Sequence, residues 1–207
     1  NKLKQMQREI YGGLTHNDKH ILDNLIMYER LLDIAKTKTV KEFNWPIHKK
    51  SGKQLTPSDA ISYIETFAQL EGITPERASI IRRRAKGYFE WMKKPLDDML
   101  KSELISQTEY DDLVSHKYRR IKLIDIFDKK YESKRGRKPL TVYDSGVQEL
   151  ARGRKTDIYE PSSEIMALEV FNRSYGRIAR QKANKALLEL AKSDPKNPFV
   201  RTKDGKG

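Results

Sequence analysis

Apolar residues return every three or four positions along most of this chain, the spacing of one face of an α-helix. The opening stretch NKLKQMQREI reads as an amphipathic helix, not as the apolar region of a signal peptide. Thr15 to Asn17 offers capping side chains ahead of Ile21, Leu25, Tyr28, Leu32 and Ala35, which share one helical face. Residues 37–55 break the period, and Trp45-Pro46 and Ser51-Gly52 mark a connecting loop. Thr56-Pro57 and Thr74-Pro75 then repeat one device. A capping hydroxyl precedes a proline at the first helical position, where no N–H is lost and φ is already helical. The first of these helices should run to about Leu70 and end at Gly72; the second should carry Ala78, Ile81, Ala85, Tyr88 and Met92 on one face. Pro95 is expected to kink that helix or to mark a restart through Leu96, Met99, Leu100 and Leu104.

Ser106 and Glu109 fit a capping box, in which each side chain satisfies the other residue's backbone N–H, so a short helix should follow to about Ser115. Regularity is lowest over residues 116–160, where Ile121, Leu123, Ile124, Ile126 and Phe127 suit a short strand or a buried helical turn. Pro161-Ser162 opens the longest clean helix, to about Lys192, and Asp194-Pro195 stops it. Its expected apolar stripe is Ile165, Leu168, Phe171, Tyr175, Ile178, Ala179, Ala186 and Leu190. The pattern predicts a mainly α fold, an elongated multi-helix assembly with an irregular basic middle region. Its expected parts are helical residues 1–115, a linker region 116–160, a long helix 161–194 and a tail 195–207.

Composition changes this picture in one respect. Only 37% of residues are hydrophobic and 34% are charged, so much of the surface should be exposed. The net charge of +13 favours polyanions, either nucleic acid or an acidic partner surface. The absence of cysteine excludes disulfides and thiolate metal sites. No apolar run approaches the roughly 20 residues of a membrane span. A start at Asn1 and a polar tail at residues 200–207 are expected of a segment of a longer polypeptide.

Two basic loops and one helix face are the candidate contact surfaces. Lys134-Arg135-Gly136-Arg137-Lys138-Pro139 resembles an AT-hook, in which glycine admits the backbone to the minor groove and arginines reach into it; here Lys138 intervenes before the proline. Arg152-Gly153-Arg154-Lys155 is the second loop. On the last helix Arg173, Arg177, Arg180 and Asn184 fall in a narrow stripe, roughly opposite the expected apolar one. That stripe could follow a phosphate backbone or meet a neighbouring subunit. Arg82-Arg83-Arg84 should wrap around its helix and cannot face one surface.

Catalytic and metal chemistry finds little support. His16, Asp18 and His20 include an i, i+4 histidine pair without a third ligand, and Asp at a helix start serves the dipole. Asp97-Asp98 and Asp111-Asp112 read as capping carboxylates near helix starts. His116 and Arg119 have a spacing found in tyrosine recombinases, without the rest of that site. Gly12-Gly13 lacks the lysine and hydroxyl of a P-loop. No catalytic residue, cofactor or metal is therefore expected.

One order of parts is familiar. A helix leads into Glu103-Leu104-Ile105-Ser106-Gln107-Thr108-Glu109-Tyr110-Asp111, then Tyr118-Arg119-Arg120, a basic region with Gly153 and Arg154, and Glu160-Pro161 before a long helix with Asn172-Arg173 and Asn184. This order, over about residues 88–191, resembles helical regions of the large polyvalent proteins of tailed phages and mobile elements. The resemblance implies a non-enzymatic cargo or ejection component of the virion interior, passing through the host cytoplasm during assembly. Its expected partners are other virion proteins or the rest of a larger polypeptide, with DNA as a further candidate. Two rival expectations stand beside it: a free-standing DNA-binding protein using the AT-hook-like loop and the Arg stripe, and an accessory domain of a packaged polymerase-type enzyme.

Overall fold

The computed structural model describes residues 2–36, 52–115 and 162–194. Of these residues 84% are helical, in six helices and without a strand element. The helices are α1 (Lys2–Tyr11), α2 (His16–Ala35), α3 (Pro57–Leu70), α4 (Pro75–Lys101), α5 (Gln107–Ser115) and α6 (Ser163–Ser193). The question of strand or helix at residues 121–127 lies outside the described residues. So do both basic loops, with Lys134, Arg135, Arg137, Lys138, Arg152 and Arg154.

Local chemistry sets the helix ends as the sequence predicts. Thr15 and Thr56 each form a capping box with the aspartate three residues on, and Thr74 accepts from the Arg77 N–H. Ser106 and Glu109 complete the box that opens α5, with N···O distances of 2.7 and 3.2 Å. Pro57 and Pro75 occupy the first turns of α3 and α4. Gly72, at φ +63°, closes α3 with the paired bonds Gly72 N–H to Gln69 and Ile73 N–H to Ala68.

Pro95 neither ends α4 nor restarts it. The helix is continuous from Pro75 to Lys101, with Pro95 itself buried. This helix is the hub against which the other five pack. Ala78, Ile81, Ala85, Tyr88 and Met92 are all buried on it. Around them gather Met6 and Ile10 of α1, Leu22 and Leu25 of α2, Phe67 of α3, and Val170 and Phe171 of α6. At Gly87 a Cβ would meet Ile10 Cδ1 at 3.0 Å, so glycine lets α1 approach α4 closely. Two smaller clusters extend the core, one of Tyr28, Leu31 and Ile34 with Leu55 and Ala60, the other of Leu96, Met99, Leu104 and Ile105 with Ile178. Among the described residues no helix is long and apolar enough to cross a membrane.

Candidate helix-docking surface

The groups that could suggest chemistry are engaged in holding helices together. Asp18 receives a two-point fork from Arg77: Nε to Oδ1 at 2.8 Å, and Nη2 to Oδ2. Its Oδ2 also accepts the Thr15 N–H at 2.8 Å. The Arg77 guanidinium, outweighing the effect of burial, holds the Asp18 carboxyl well below the usual carboxylate range. Asp18 therefore ties α2 to α4 and is already saturated with donors.

Asp97 and Asp98 are not helix-start carboxylates. They lie in the last third of α4, where Asp97 accepts the Tyr110 hydroxyl at 2.6 Å and Asp98 accepts Tyr175 at 2.6 Å and Lys2 Nζ at 2.5 Å. The Tyr110 hydroxyl is pushed up to about 12, chiefly by its bond to Asp97. Asp98 thus joins α1, α4 and α6.

Ser163, Asp23 and Tyr11 form a third joint between helices. Asp23 accepts both the Ser163 N–H, at 2.9 Å, and the hydroxyl, at 2.5 Å, while the Tyr11 hydroxyl lies 2.7 Å from Ser163 Oγ. Burial raises the Asp23 carboxyl above its ordinary value. Ser163 is fully buried, and the arrangement pins the first turn of α6 to α1 and α2. Sequence reading missed this junction because a serine and an aspartate 140 residues apart give no local signal.

The basic triplet is divided as its spacing requires. Arg82 donates to the Ile64 carbonyl at 2.8 Å and lies over the Phe67 ring, Arg84 donates to the Gly12 carbonyl at 3.3 Å, and Arg83 is exposed.

A further joint sits at the end of α4. Glu103 and Leu104 close that helix with the bond pattern Gly72 uses for α3: Glu103 N–H to Leu100 and Leu104 N–H to Met99. Glu103 occupies the left-handed position, at φ +57°, without being glycine. Its carbonyl accepts Gln181 Nε2 at 3.0 Å and its carboxylate meets Lys185 at 2.6 Å, both from α6. The ion pair is exposed and weakly stabilising, whereas the backbone strain is present throughout. Glu103→Gly should therefore raise the thermal midpoint, a result that a melting curve monitored by circular dichroism checks.

The long helix α6 differs most from expectation. Its core face is Ser163, Met166, Ala167, Val170, Phe171, Ile178, Gln181, Asn184 and Ala191. Of the expected apolar stripe only Phe171 and Ile178 are buried, with Tyr175 packed at the edge. Ile165, Leu168 and Leu190 are 47, 39 and 43% exposed, and Ala179 and Ala186 are exposed with them. Asn184 does not extend a solvent-facing Arg stripe, since it is buried at 7% exposure. The reason is that α6 has two apolar faces, and the one that reaches α4 carries buried amides as well as carbon.

The outer face is continuous. Ile165, Leu168, Asn172, Gly176, Ala179, Ala183, Leu187 and Leu190 follow one another at steps of three, four and four residues, and every one is exposed. That step averages about 3.6 residues per turn, so the face runs nearly straight along the helix. It is large and apolar at both ends and small at the middle, with the Asn172 amide between Leu168 and Gly176. Arg173 and Arg180 lie along one border, about 60–80° around the axis from Ile165, with the part-exposed Glu169 on the same side at about 40° and Arg177 further round. Lys182 lies on the other border and is exposed, with the exposed Glu189 two turns further along the same side. Arg173 approaches Glu169 at 4.0 Å. Arg173 and Arg180 thus flank the outer face, whereas the half-buried Arg177 lies on the side of Met166 and Val170, towards the core.

Comparison of the chain with family models, with curated proteins and with solved structures finds no match.

Proposed function

We propose that this chain is a non-catalytic helical docking module of a larger assembly, acting through the outer face of α6. The observation that supports this reading is the exposed run from Ile165 to Leu190 on a helix whose opposite face is already in the core. Single exposed apolar residues are ordinary, but a helix apolar on two faces suits burial on both. The polar groups of highest chemical interest serve as helix joints, which favours a structural over a catalytic role. The sequence resemblance supplies the setting of the proposal: an internal protein of a tailed-phage virion or mobile element, held among other virion chains or within its own longer polypeptide. This setting rests on the sequence motifs alone.

The rival reading, in which Arg173, Arg177 and Arg180 grip DNA, makes a different numerical demand. Lost phosphate contacts lower the salt slope of duplex binding by about 0.9 each. Docking through the apolar face predicts that replacing all three arginines by Gln leaves duplex affinity and salt slope as in the parent chain. A slope reduced by about two units or more in a fluorescence titration would transfer the function to DNA binding.

A further inference from the structure

We propose that the outer face of α6 receives an amphipathic helix from a different chain, one with large apolar side chains at its middle and carboxylates along its borders. This inference rests on the docking reading and adds the chemistry of the partner. Its first support is shape. Gly176, Ala179 and Ala183 form a narrow waist between Asn172 and Leu187. A partner fills that waist only by placing bulk there, because an unfilled gap forfeits dispersion contacts on both sides. Two copies of α6 pair badly on this ground. Antiparallel pairing sets Ile165 against Leu190 and Leu168 against Leu187, so the large ends hold the axes apart while small residues face small residues at the centre.

Its second support is charge, the feature by which border residues of paired helices choose partners. In the antiparallel arrangement Arg173 faces Arg180 of the second copy. In a parallel arrangement Arg180 faces Lys182 of the second copy, about 3 Å apart along the axis at 1.5 Å per residue. Either self-pairing therefore brings like charges together beside the waist. Glu or Asp side chains at the borders of a different helix meet these cations with the right sign, and the apolar face supplies what a phosphate backbone has no use for.

The test uses the 207-residue chain and two fluorescent helical peptides with the same leucine-centred seam, one bordered by Glu and one by Lys. The Glu-bordered peptide should bind at least about tenfold more tightly at low salt, and the margin should shrink as salt is added. Binding should be lost in the Leu168→Asp/Leu187→Asp double variant and should weaken, with less discrimination between the peptides, in Arg173→Gln/Arg180→Gln. Equal binding of both peptides would overturn the acidic partner while leaving the docking reading intact. Sedimentation of the chain as a dimer that the Leu168→Asp/Leu187→Asp variant dissolves would replace the foreign helix by a second copy. Binding of neither peptide, with a short duplex DNA bound in proportion to the arginines present, would overturn both proposals.

Discussion

Phe171→Ala will lower the unfolding free energy by about 3–5 kcal/mol, the range for truncating a buried aromatic side chain. Phe171 is 2% exposed in the main core cluster. Its ring centroid lies 6.5 Å from that of Trp91 on α4 and 5.8 Å from that of Tyr175. Trp91 is in turn held by its indole N–H to Glu9 at 2.8 Å, so one ring joins α6 to the α1–α4 pair. Val170 and Ala167 surround the same contact and cannot refill the space without moving α6. Urea denaturation monitored at 222 nm reads the loss. Leu168→Ala is the internal control. It lies three residues away on the exposed face, and its expected change is within about 0.5 kcal/mol.

Asp18→Ala will cost about 2–4 kcal/mol, because it removes a helix cap and a buried acceptor of charge-assisted hydrogen bonds together. The pH dependence has a definite sign. A carboxyl held below its unfolded value near 3.9 contributes stability that is fully present above that value. The contribution is lost as pH falls towards the folded value, which lies below the ordinary carboxylate range. Asp98, also lowered in the fold by Lys2 and Tyr175 against the effect of burial, acts in the same direction. Asp23 acts against them: burial raises it, so its contribution is present at low pH and is lost as pH rises through its folded value. The parent chain should lose stability steadily below about pH 4. Asp18→Asn should be less stable at neutral pH and should show a flatter acid limb, as measured by urea midpoints across that window.

Signals carried by a few neighbouring residues were legible in the sequence. The Thr-Pro starts of α3 and α4, the box at Ser106 and Glu109, and the left-handed Gly72 each solve a local backbone problem with local atoms. The buried face of α4 was legible as well, because Ala78, Ile81, Ala85, Tyr88 and Met92 have no competing apolar face. On α6 periodicity failed for an identifiable reason. The helix offers apolar carbon on two sides, and the side that turns inward is chosen by α1 and α4, which sequence spacing on α6 does not contain. Gln181 and Asn184 add to the ambiguity, since amides read as surface residues until a partner such as the Glu103 carbonyl reaches them. At Pro95 the continuity of α4 excludes the expected restart, and local rules assign the cost of the proline but not the burial of its ring. Asp97 and Asp98 were misplaced because their partners come from α1, α5 and α6.

The central claim is that the outer face of α6 is a contact surface and not part of this chain's own core. Equilibrium unfolding of the Leu168→Asp/Leu187→Asp double variant tests it most directly. Two carboxylates placed on a face that only a partner covers should leave the isolated chain within about 0.5 kcal/mol per site of the parent. A loss of about 4 kcal/mol or more would mean that charge had been forced into the chain's own interior, and would contradict the account.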